Sequence, residues 1–524
     1  MKTFRRVVSA LLSLCVALTM FTAFSTSEAK AELQDTHDYH YIEPGSEFTK
    51  MAIPKTFTVR NTVSKIDCTQ ATFLEPQDMY IDDEDNIYVL DWGGARKAGR
   101  IIKMDMWGNV SLEITTITCE ECALAETNCT HTKKTALAEP RGIFVLNNDS
   151  GDPAKDQHIF IADTKNSRVV HLDRNGYFVE EFFQPDDPAI SGYPFDVTKV
   201  SVDSNGIMYL LMATDFQGFM KLNTKGEYVG NTGMTWTTTS LTEYLWSKLS
   251  SSNDIVERAS LTAPPYSNFY INDEGWIYAT VIQVDENQVC KLNTSGTNVF
   301  PPAVYGRSYR ELTDEKTWAS KQYASNFVDI TVDEKGIVYA LDSELGNVFL
   351  YDQEGNNLAF FGSKGTYRGR FQKPVAIGLL KDGSVVVLDN QTGFVTTFKP
   401  TEFCNLMKEG TYQYYEAEYE TARSIWSQLL EIDGNYVYAH RAIGKAYFKE
   451  KNYDKAMEEY KLADDKEGYS LSFEKKKNDL TDKYFFVLVL IIVVALVAVI
   501  ISYKAIKKYV DKLHVKLTTW GGDV

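Results

Sequence analysis

Short runs of alternating apolar and polar residues recur along the chain between residues 75 and 389. Each run reaches an Asp-x-x-Gly turn or a near variant and is followed by a second alternating run, as in SNFYINDEGWIYATV at residues 267–281. Alternation with a period of two predicts half-buried β-strands, and Asp and Gly favour the tight turns between them. The pattern therefore predicts a succession of short antiparallel strands.

A phrase of the form apolar-Asp/Asn-x-x-Gly marks the third strand and second turn of most copies. It reads KLNTKG at 221–226 and KLNTSG at 291–296, and related phrases begin at residues 103, 171 and 350. Six such units, some lengthened by inserted loops, predict a six-bladed β-propeller. The last copy has three clear strands, so KTFTVRNTV at 55–63 is expected to supply its fourth strand and close the ring.

The second copy carries the run Asp163-Thr-Lys-Asn166-Ser-Arg168 after its second strand. This run resembles the NHL-repeat family of propellers, and the resemblance spans about residues 72–399. It implies an all-β six-bladed propeller, which we assign to residues 55–403. The third and fourth copies depart from the family pattern, with Met212 and Val281 where other copies have Asp.

After Pro400 the apolar period changes from two to that of a helix. An offset of 34 residues relates Gly410 to Gly444, Ala422 to Ala456, and Trp426 to Tyr460. This length, with small residues where helices touch, resembles tetratricopeptide (TPR) repeats, and we assign two of them to residues 404–467. The resemblance implies a groove that binds a protein partner, and a rigid stalk is the alternative.

Both ends of the chain carry apolar segments. Basic residues precede an apolar run that ends in Ala29-Lys30-Ala31, which predicts a signal peptide at 1–31, followed by a linker at 32–54. Residues 484–503 contain no charge over a length that suits a single transmembrane helix.

These segments predict a bacterial cell-surface protein held in the cell membrane by one pass. A capping or connector helix at 468–483 precedes the transmembrane helix, and a basic tail at 504–524 follows it. The signal peptide places the N-terminal bulk outside the cell and the C-terminus in the cytoplasm. The formal net charge of -17 argues against nucleic acid as a partner.

Four residues in the insertion between the first two copies have the spacing of a zinc site: Cys119, Cys122, Cys129 and His131. Thiols outside the cell oxidise, however, and Cys68 is available as a further partner. The favoured interpretation is therefore that one or two disulfides crosslink this loop, with zinc or free thiols as the alternatives.

Propellers place ligands where the innermost strands approach the axis. One register position in these strands is occupied by Asp78, Lys199, Asn268 and Asp329, and Arg141 is adjacent to the equivalent position in the second copy. These five residues could converge on a polar funnel for a carbohydrate or small anion, and the alternative is a channel mouth that holds water alone. No cofactor is predicted.

The sequence favours binding over catalysis. It has no Gly-x-Ser-x-Gly, His-Glu-x-x-His or Gly-rich phosphate loop. The predicted function is a membrane-anchored extracellular binding or scaffold protein, in which the propeller recognises a ligand or envelope component. The TPR module would dock a membrane protein complex, such as a transporter or wall-synthesis complex. The alternative is a metal-dependent hydrolase or lactonase of the six-bladed propeller type.

Overall fold

The computed structural model describes residues 40–42, 50–66, 72–94, 99–147, 157–214, 218–233, 266–282, 286–306, 308–314 and 319–520. The chain forms two compact units, Met1–Tyr412 and Gln413–Val524. The predicted signal peptide at 1–31 lies outside the described residues. The segment interpreted as a linker contributes two short strands, β1 (His40–Ile42) and β2 (Lys50–Ala52).

The first unit is a six-bladed β-propeller, as the repeats predict. Strand β3 (Phe57–Val63) belongs to the last blade. The first blade contains β4 (Pro76–Ile81), β5 (Ile87–Asp91), β6 (Arg100–Met104) and β7 (Val110–Ile114). The second contains β8 (Gly142–Asn147), β9 (Gln157–Asp163), β10 (Arg168–Asp173) and β11 (Phe178–Phe182). The third contains β12 (Val197–Val202), β13 (Met208–Met212), β14 (Phe219–Leu222) and β15 (Tyr228–Thr232).

The remaining blades complete the ring. The fourth contains β16 (Tyr266–Ile271), β17 (Ile277–Val281) and β18 (Val289–Leu292), and a separate hairpin follows it, made of β19 (Ser308–Asp314) and β20 (Ala319–Ala324). The fifth contains β21 (Phe327–Val332), β22 (Val338–Asp342), β23 (Asn347–Tyr351) and β24 (Asn357–Phe361), with β1 and β2 at its outer edge. The sixth contains β25 (Pro374–Leu379), β26 (Val385–Asp389) and β27 (Phe394–Pro400) together with β3.

Ring closure by residues 55–63 is confirmed. Strand β3 pairs antiparallel with β27, with Phe57 opposite Pro400 and Val63 opposite Val395. The Phe57 side chain is fully buried, and its ring centroid lies 4.4 Å from that of Phe361 in the neighbouring blade. The closing strand thus adds both backbone hydrogen bonds and aromatic packing between the fifth and sixth blades.

The repeated KLNTKG phrase has a local physical reason. The Asn223 side-chain oxygen accepts hydrogen bonds from the N–H groups of Lys225 and Glu227, each at 3.0 Å. Gly226 takes φ = +75°, a left-handed conformation that side chains with a Cβ rarely adopt. Asn293 makes the same pair of bonds in KLNTSG. The phrase is a turn that needs an Asp or Asn at its start and a Gly at its third following position.

The core lies between neighbouring blades. One buried cluster joins the first blade to the second, and another joins the second to the third. Residues of the first and last blades share a further cluster that includes Met79, Val89, Val386 and Leu388. Because each blade buries apolar residues against the next, side-chain packing holds together sheets whose strands are not paired with one another.

The chain becomes helical at Glu402, in agreement with the change of period. The helices are α1 (Glu120–Leu124) in the first insertion, then α2 (Glu402–Tyr415), α3 (Tyr419–Ile432), α4 (Val437–Lys449), α5 (Tyr453–Leu462) and α6 (Lys466–Trp520). Trp426 and Tyr460, related by the 34-residue offset, are both buried. A Cβ on Gly444 would lie 3.0 Å from Tyr460 Cδ1, so the small residue permits close contact of α4 with α5.

Helix α6 runs without a break through the predicted connector, membrane segment and much of the tail. Its most apolar stretch has a mean hydropathy of 3.5, and none of this stretch is buried in the structure. By length and composition it is one candidate membrane-spanning helix. This agrees with membrane anchoring, whereas the predicted topology stays a prediction.

Candidate functional site

The six innermost strands, β4, β8, β12, β16, β21 and β25, surround a cavity of about 1320 Å³ on the propeller axis. Residues of these strands and of the turns that follow them form its wall. Eleven carboxylate side chains and five lysines line it: Asp78, Asp82, Asp83, Asp85, Asp203, Asp273, Glu274, Asp329, Asp333, Glu334 and Asp382, with Lys199, Lys221, Lys335, Lys381 and Lys408. The cavity is therefore polar and carries an excess of negative charge.

An ion pair crosses the cavity wall between the first and third blades. Lys199 Nζ contacts Asp78 Oδ1, and the other carboxylate oxygen of Asp78 accepts a hydrogen bond of 2.8 Å from the Ile143 N–H. Gly142 of the second blade lies between them, and a Cβ there would come within 2.5 Å of the Thr198 carbonyl oxygen. The absence of a side chain at Gly142 allows this close approach of the second and third blades.

A second polar contact joins the fourth, fifth and sixth blades. The Asn268 side-chain amide donates to Asp329 Oδ1, and the Ile377 N–H donates to Asp329 Oδ2 at 2.7 Å. Burial raises the pKa of the Asp329 carboxyl to about 7, although the nearby positive charge of Lys199 acts in the opposite direction.

The structure brings four of the five predicted funnel residues together. Asp78, Lys199, Asn268 and Asp329 all line the cavity. Arg141 is exposed and is not among the lining residues. Arg141 precedes β8, which begins at Gly142, so it lies outside the strand that contributes to the cavity wall.

Sequence reasoning missed the acidic rim of the cavity. Most of its carboxylates belong to the Asp-x-x-Gly turns, which the sequence identified only as turns. In one such turn, Asp203 Oδ1 accepts hydrogen bonds of 2.9 Å from the N–H groups of Asn205 and Ile207. Asp203 also lines the cavity. The rim could have been predicted from the position of these turns in the repeats, because turns that follow equivalent strands lie at the same end of the ring.

The Cys and His residues of the first insertion converge on one point. His131 Nδ1 lies 3.2 Å from Cys119 Sγ and 3.8 Å from Cys122 Sγ. Together with Cys129 Sγ, these ligand atoms all lie within 4.8 Å of one another. Burial alone would raise the pKa of the Cys129 thiol, but backbone N–H groups, that of Cys119 foremost, lower it to about 6. This donor set fits a metal ion.

The disulfide interpretation stays a prediction. The sulfur atoms of Cys119, Cys122 and Cys129 are not bonded to one another. Cys68, the further partner considered from the sequence, lies outside the described residues. Cys290 is a buried residue of β18, and burial raises the pKa of its thiol to about 12, as expected for a core position.

No protein-family model and no curated protein matches the chain. Similar solved structures include a streptogramin B lyase, with 10% identity, a TM-score of 0.38, and coverage of 66% of this chain and 98% of that chain. A virginiamycin B lyase from Staphylococcus aureus has 8% identity and a TM-score of 0.36, with coverage of 66% and 100%. A Bacteroides thetaiotaomicron protein of unknown function has 12% identity and a TM-score of 0.40, with coverage of 66% and 75%. Likenesses this distant assign no activity to this chain.

Proposed function

We propose that the protein is a membrane-anchored binding protein whose NHL-like propeller takes a carbohydrate in its axial cavity. The observation that carries this proposal is the composition of the cavity wall, in which eleven carboxylates outnumber five lysines. Hydroxyl groups of a sugar can donate hydrogen bonds to carboxylates, and the lysines can donate to sugar oxygens. The small anion considered from the sequence fits this wall less well, because the negative charges would repel it.

The size of the cavity supports an oligosaccharide. Its volume of about 1320 Å³ exceeds the range of about 300–1,000 Å³ that is usual for small-molecule sites. Asp83, Asp273 and Glu334 are among the exposed carboxylate residues that line this space. They are therefore available to a ligand, whereas buried Asp78 and Asp329 are engaged in contacts between blades.

The alternative of a metal-dependent hydrolase or lactonase finds no specific support in the cavity. Such an enzyme needs several ligand atoms around one ion. In the part of the chain that the structure describes, the convergent group of His, Cys, Asp and Glu ligands is the Cys119 to His131 cluster, and none of its members lines the cavity. The binding function is therefore the one that we propose.

Carbohydrate binding is tested by removing charge from the cavity rim. The triple variant Asp83→Asn, Asp273→Asn and Glu334→Gln is expected to lose at least about tenfold in affinity, because hydrogen bonds to charged groups are the stronger ones. The measurement is titration calorimetry of the full chain in detergent, against neutral oligosaccharides first selected on an array with the intact protein.

The matched control removes the same three charges elsewhere. Asp186→Asn, Glu416→Gln and Glu431→Gln replace exposed carboxylates that do not line the cavity. This control should bind as the intact chain does. Equal affinity of the two triple variants would contradict the proposed site, and an array on which the intact protein binds no sugar would contradict the ligand class.

We further propose that the helices act as TPR-like repeats that dock a membrane protein complex. In support, residues related by the 34-residue offset have equivalent environments. Ala422 and Ala456 are fully buried, and Trp426 and Tyr460 are almost fully buried. The candidate membrane helix continues from the same unit, which would hold the repeats near a membrane partner. The NHL type, export and bacterial surface location belong to this proposal.

Docking is tested by crosslinking and purification from native membranes. A deletion of residues 413–465 stays within the second unit, so Lys408 of α2 keeps its 2.8 Å ion pair with Asp333 of the propeller. We expect the intact chain to recover one membrane complex and the deletion to lose it. The cavity triple variant serves as the control and should retain the complex. Recovery of the same complex by the deletion would mean that the helices are only a stalk.

A further inference from the structure

The insertion between β7 and β8 holds four metal-ligand side chains on a short stretch of chain. The ligand atoms of three cysteines and one histidine, Cys119, Cys122, Cys129 and His131, all lie within 4.8 Å of one another. We propose that these four residues bind one zinc ion in a closed structural site. The proposal is independent of the cavity and of its ligand, since none of the four lines that cavity.

The distances fit a tetrahedral zinc site. Bond lengths of about 2.3 Å for zinc to sulfur and about 2.0–2.1 Å for zinc to nitrogen give a sulfur-to-nitrogen edge of about 3.6 Å in a regular tetrahedron. The two edges from His131 Nδ1, 3.2 Å to Cys119 Sγ and 3.8 Å to Cys122 Sγ, lie on either side of that value. Small shifts of these side chains would therefore complete the coordination.

The chemistry of the donor set selects the metal. Thiolate sulfur and imidazole nitrogen suit zinc, whereas calcium and magnesium require oxygen ligands. Four protein ligands fill a tetrahedral shell and leave no open position for a substrate or water. The site would therefore act in structure and not in catalysis.

Backbone hydrogen bonds to sulfur support the same assignment. The Cys119 N–H donates to Cys129 Sγ at 3.5 Å, and N–H groups further along the loop also face this sulfur. Such donors stabilise thiolate charge and orient metal ligands. Cys119 is the N-cap residue of the short helix α1 and Cys122 lies within it, so the helix fixes the spacing of the first two cysteines.

The metal would stabilise an insertion whose flanking segments both contact the second blade. Immediately after His131, Thr132 Oγ1 accepts a 2.9 Å hydrogen bond from the buried Arg168, and the Lys134 carbonyl accepts another at 2.8 Å. Immediately before Cys119, the Thr118 carbonyl accepts from the Phe178 N–H at 2.9 Å. The four ligands thus lie between two segments that are both anchored on the same blade, and zinc would join them.

The test is the zinc content of the full chain, purified without chelator and measured by mass spectrometry of the metal. We expect one zinc per chain. Chelation should lower the unfolding temperature, and added zinc, but not calcium or magnesium, should restore it. The variants Cys122→Ser and His131→Ala should lose the zinc, whereas His131→Cys should keep it because four thiolates also form a zinc site.

The control variant Cys290→Ala removes a cysteine outside the cluster and should keep one zinc per chain. If one of these variants fails to fold, the zinc content of the intact chain still tests the proposal. The difference in zinc content between His131→Cys and His131→Ala tests it as well. Intact protein without zinc, or with a disulfide between any two of the three cysteines after thiol labelling and mass spectrometry, would overturn the proposal. Zinc retained by the His131→Ala variant in full amount would mark an adventitious ion.

Discussion

Replacing Arg168 with methionine is expected to lower the free energy of unfolding of the propeller by about 3–5 kcal/mol. The Arg168 side chain is completely buried, and its Nε donates to Asp163 Oδ2 at 2.8 Å. A second nitrogen of the guanidinium lies 2.5 Å from Glu181 Oε2. Methionine matches the length of the stem but removes the charge, so it would leave the fully buried Asp163 carboxylate without its positively charged partner.

The contacts of Arg168 with the first insertion add to this expectation. Thr132 and Lys134 would lose their bonds to the guanidinium, so the insertion should loosen as the blade is destabilised. Denaturant unfolding followed by tryptophan fluorescence measures the loss, and hydrogen exchange reports on the insertion.

The matched control is Lys165→Met, three residues earlier in the same motif. Lys165 is 62% exposed and pairs with Glu139 on the surface at 2.6 Å, so its replacement should change the free energy of unfolding by about 1 kcal/mol at most. If Arg168→Met were no more destabilising than this control, the buried pair would not be a main support of the second blade.

Replacing Phe57 with alanine is expected to cost about 3–5 kcal/mol of propeller stability. Phe57 is fully buried on the strand that closes the ring, and it packs on Phe361 with a centroid distance of 4.4 Å. Its loss would leave a cavity between the fifth and sixth blades and weaken the attachment of β3 to β27. Thermal and denaturant unfolding both measure this effect.

Thr58→Ala is the control for Phe57→Ala because it lies next to Phe57 on the same strand and is exposed. It should change stability by less than about 0.5 kcal/mol. A similarly small effect of Phe57→Ala would show that closure depends on the backbone pairing of β3 and not on aromatic packing.

Much of the fold could be predicted because its rules are local. A period of two defines each strand, and an Asp or Asn with a following Gly defines each turn, as the bonds of Asn223 and Asn293 show. The closing strand could be inferred from the strand missing in the last copy. The hairpin of β19 and β20 and the edge strands β1 and β2 could not, since they follow no repeat and depend on contacts outside the pattern.

Strand register and the spacing of residues in the sequence predicted which residues belong to the candidate sites, but not how their side chains pair. Register placed Asp78, Lys199 and Asp329 on the cavity wall, but the pairing of Lys199 with Asp78 depends on the space left by Gly142. Likewise, the spacing of the cysteines allowed zinc or disulfides. The folded loop adds the position of His131 Nδ1 beside two sulfurs, which spacing cannot give.

The pairing of β3 with β27 imposes an order on biosynthesis. Ribosomes make a chain from its N-terminus, so β3 is complete before any blade has formed, whereas its partner is the last strand of the propeller. Until then β3 has an unpaired edge, which is a template for association with another chain. A nascent chain that stalls before residue 394 would therefore carry an open ring, and its unpaired β3 could associate with a strand edge of another chain.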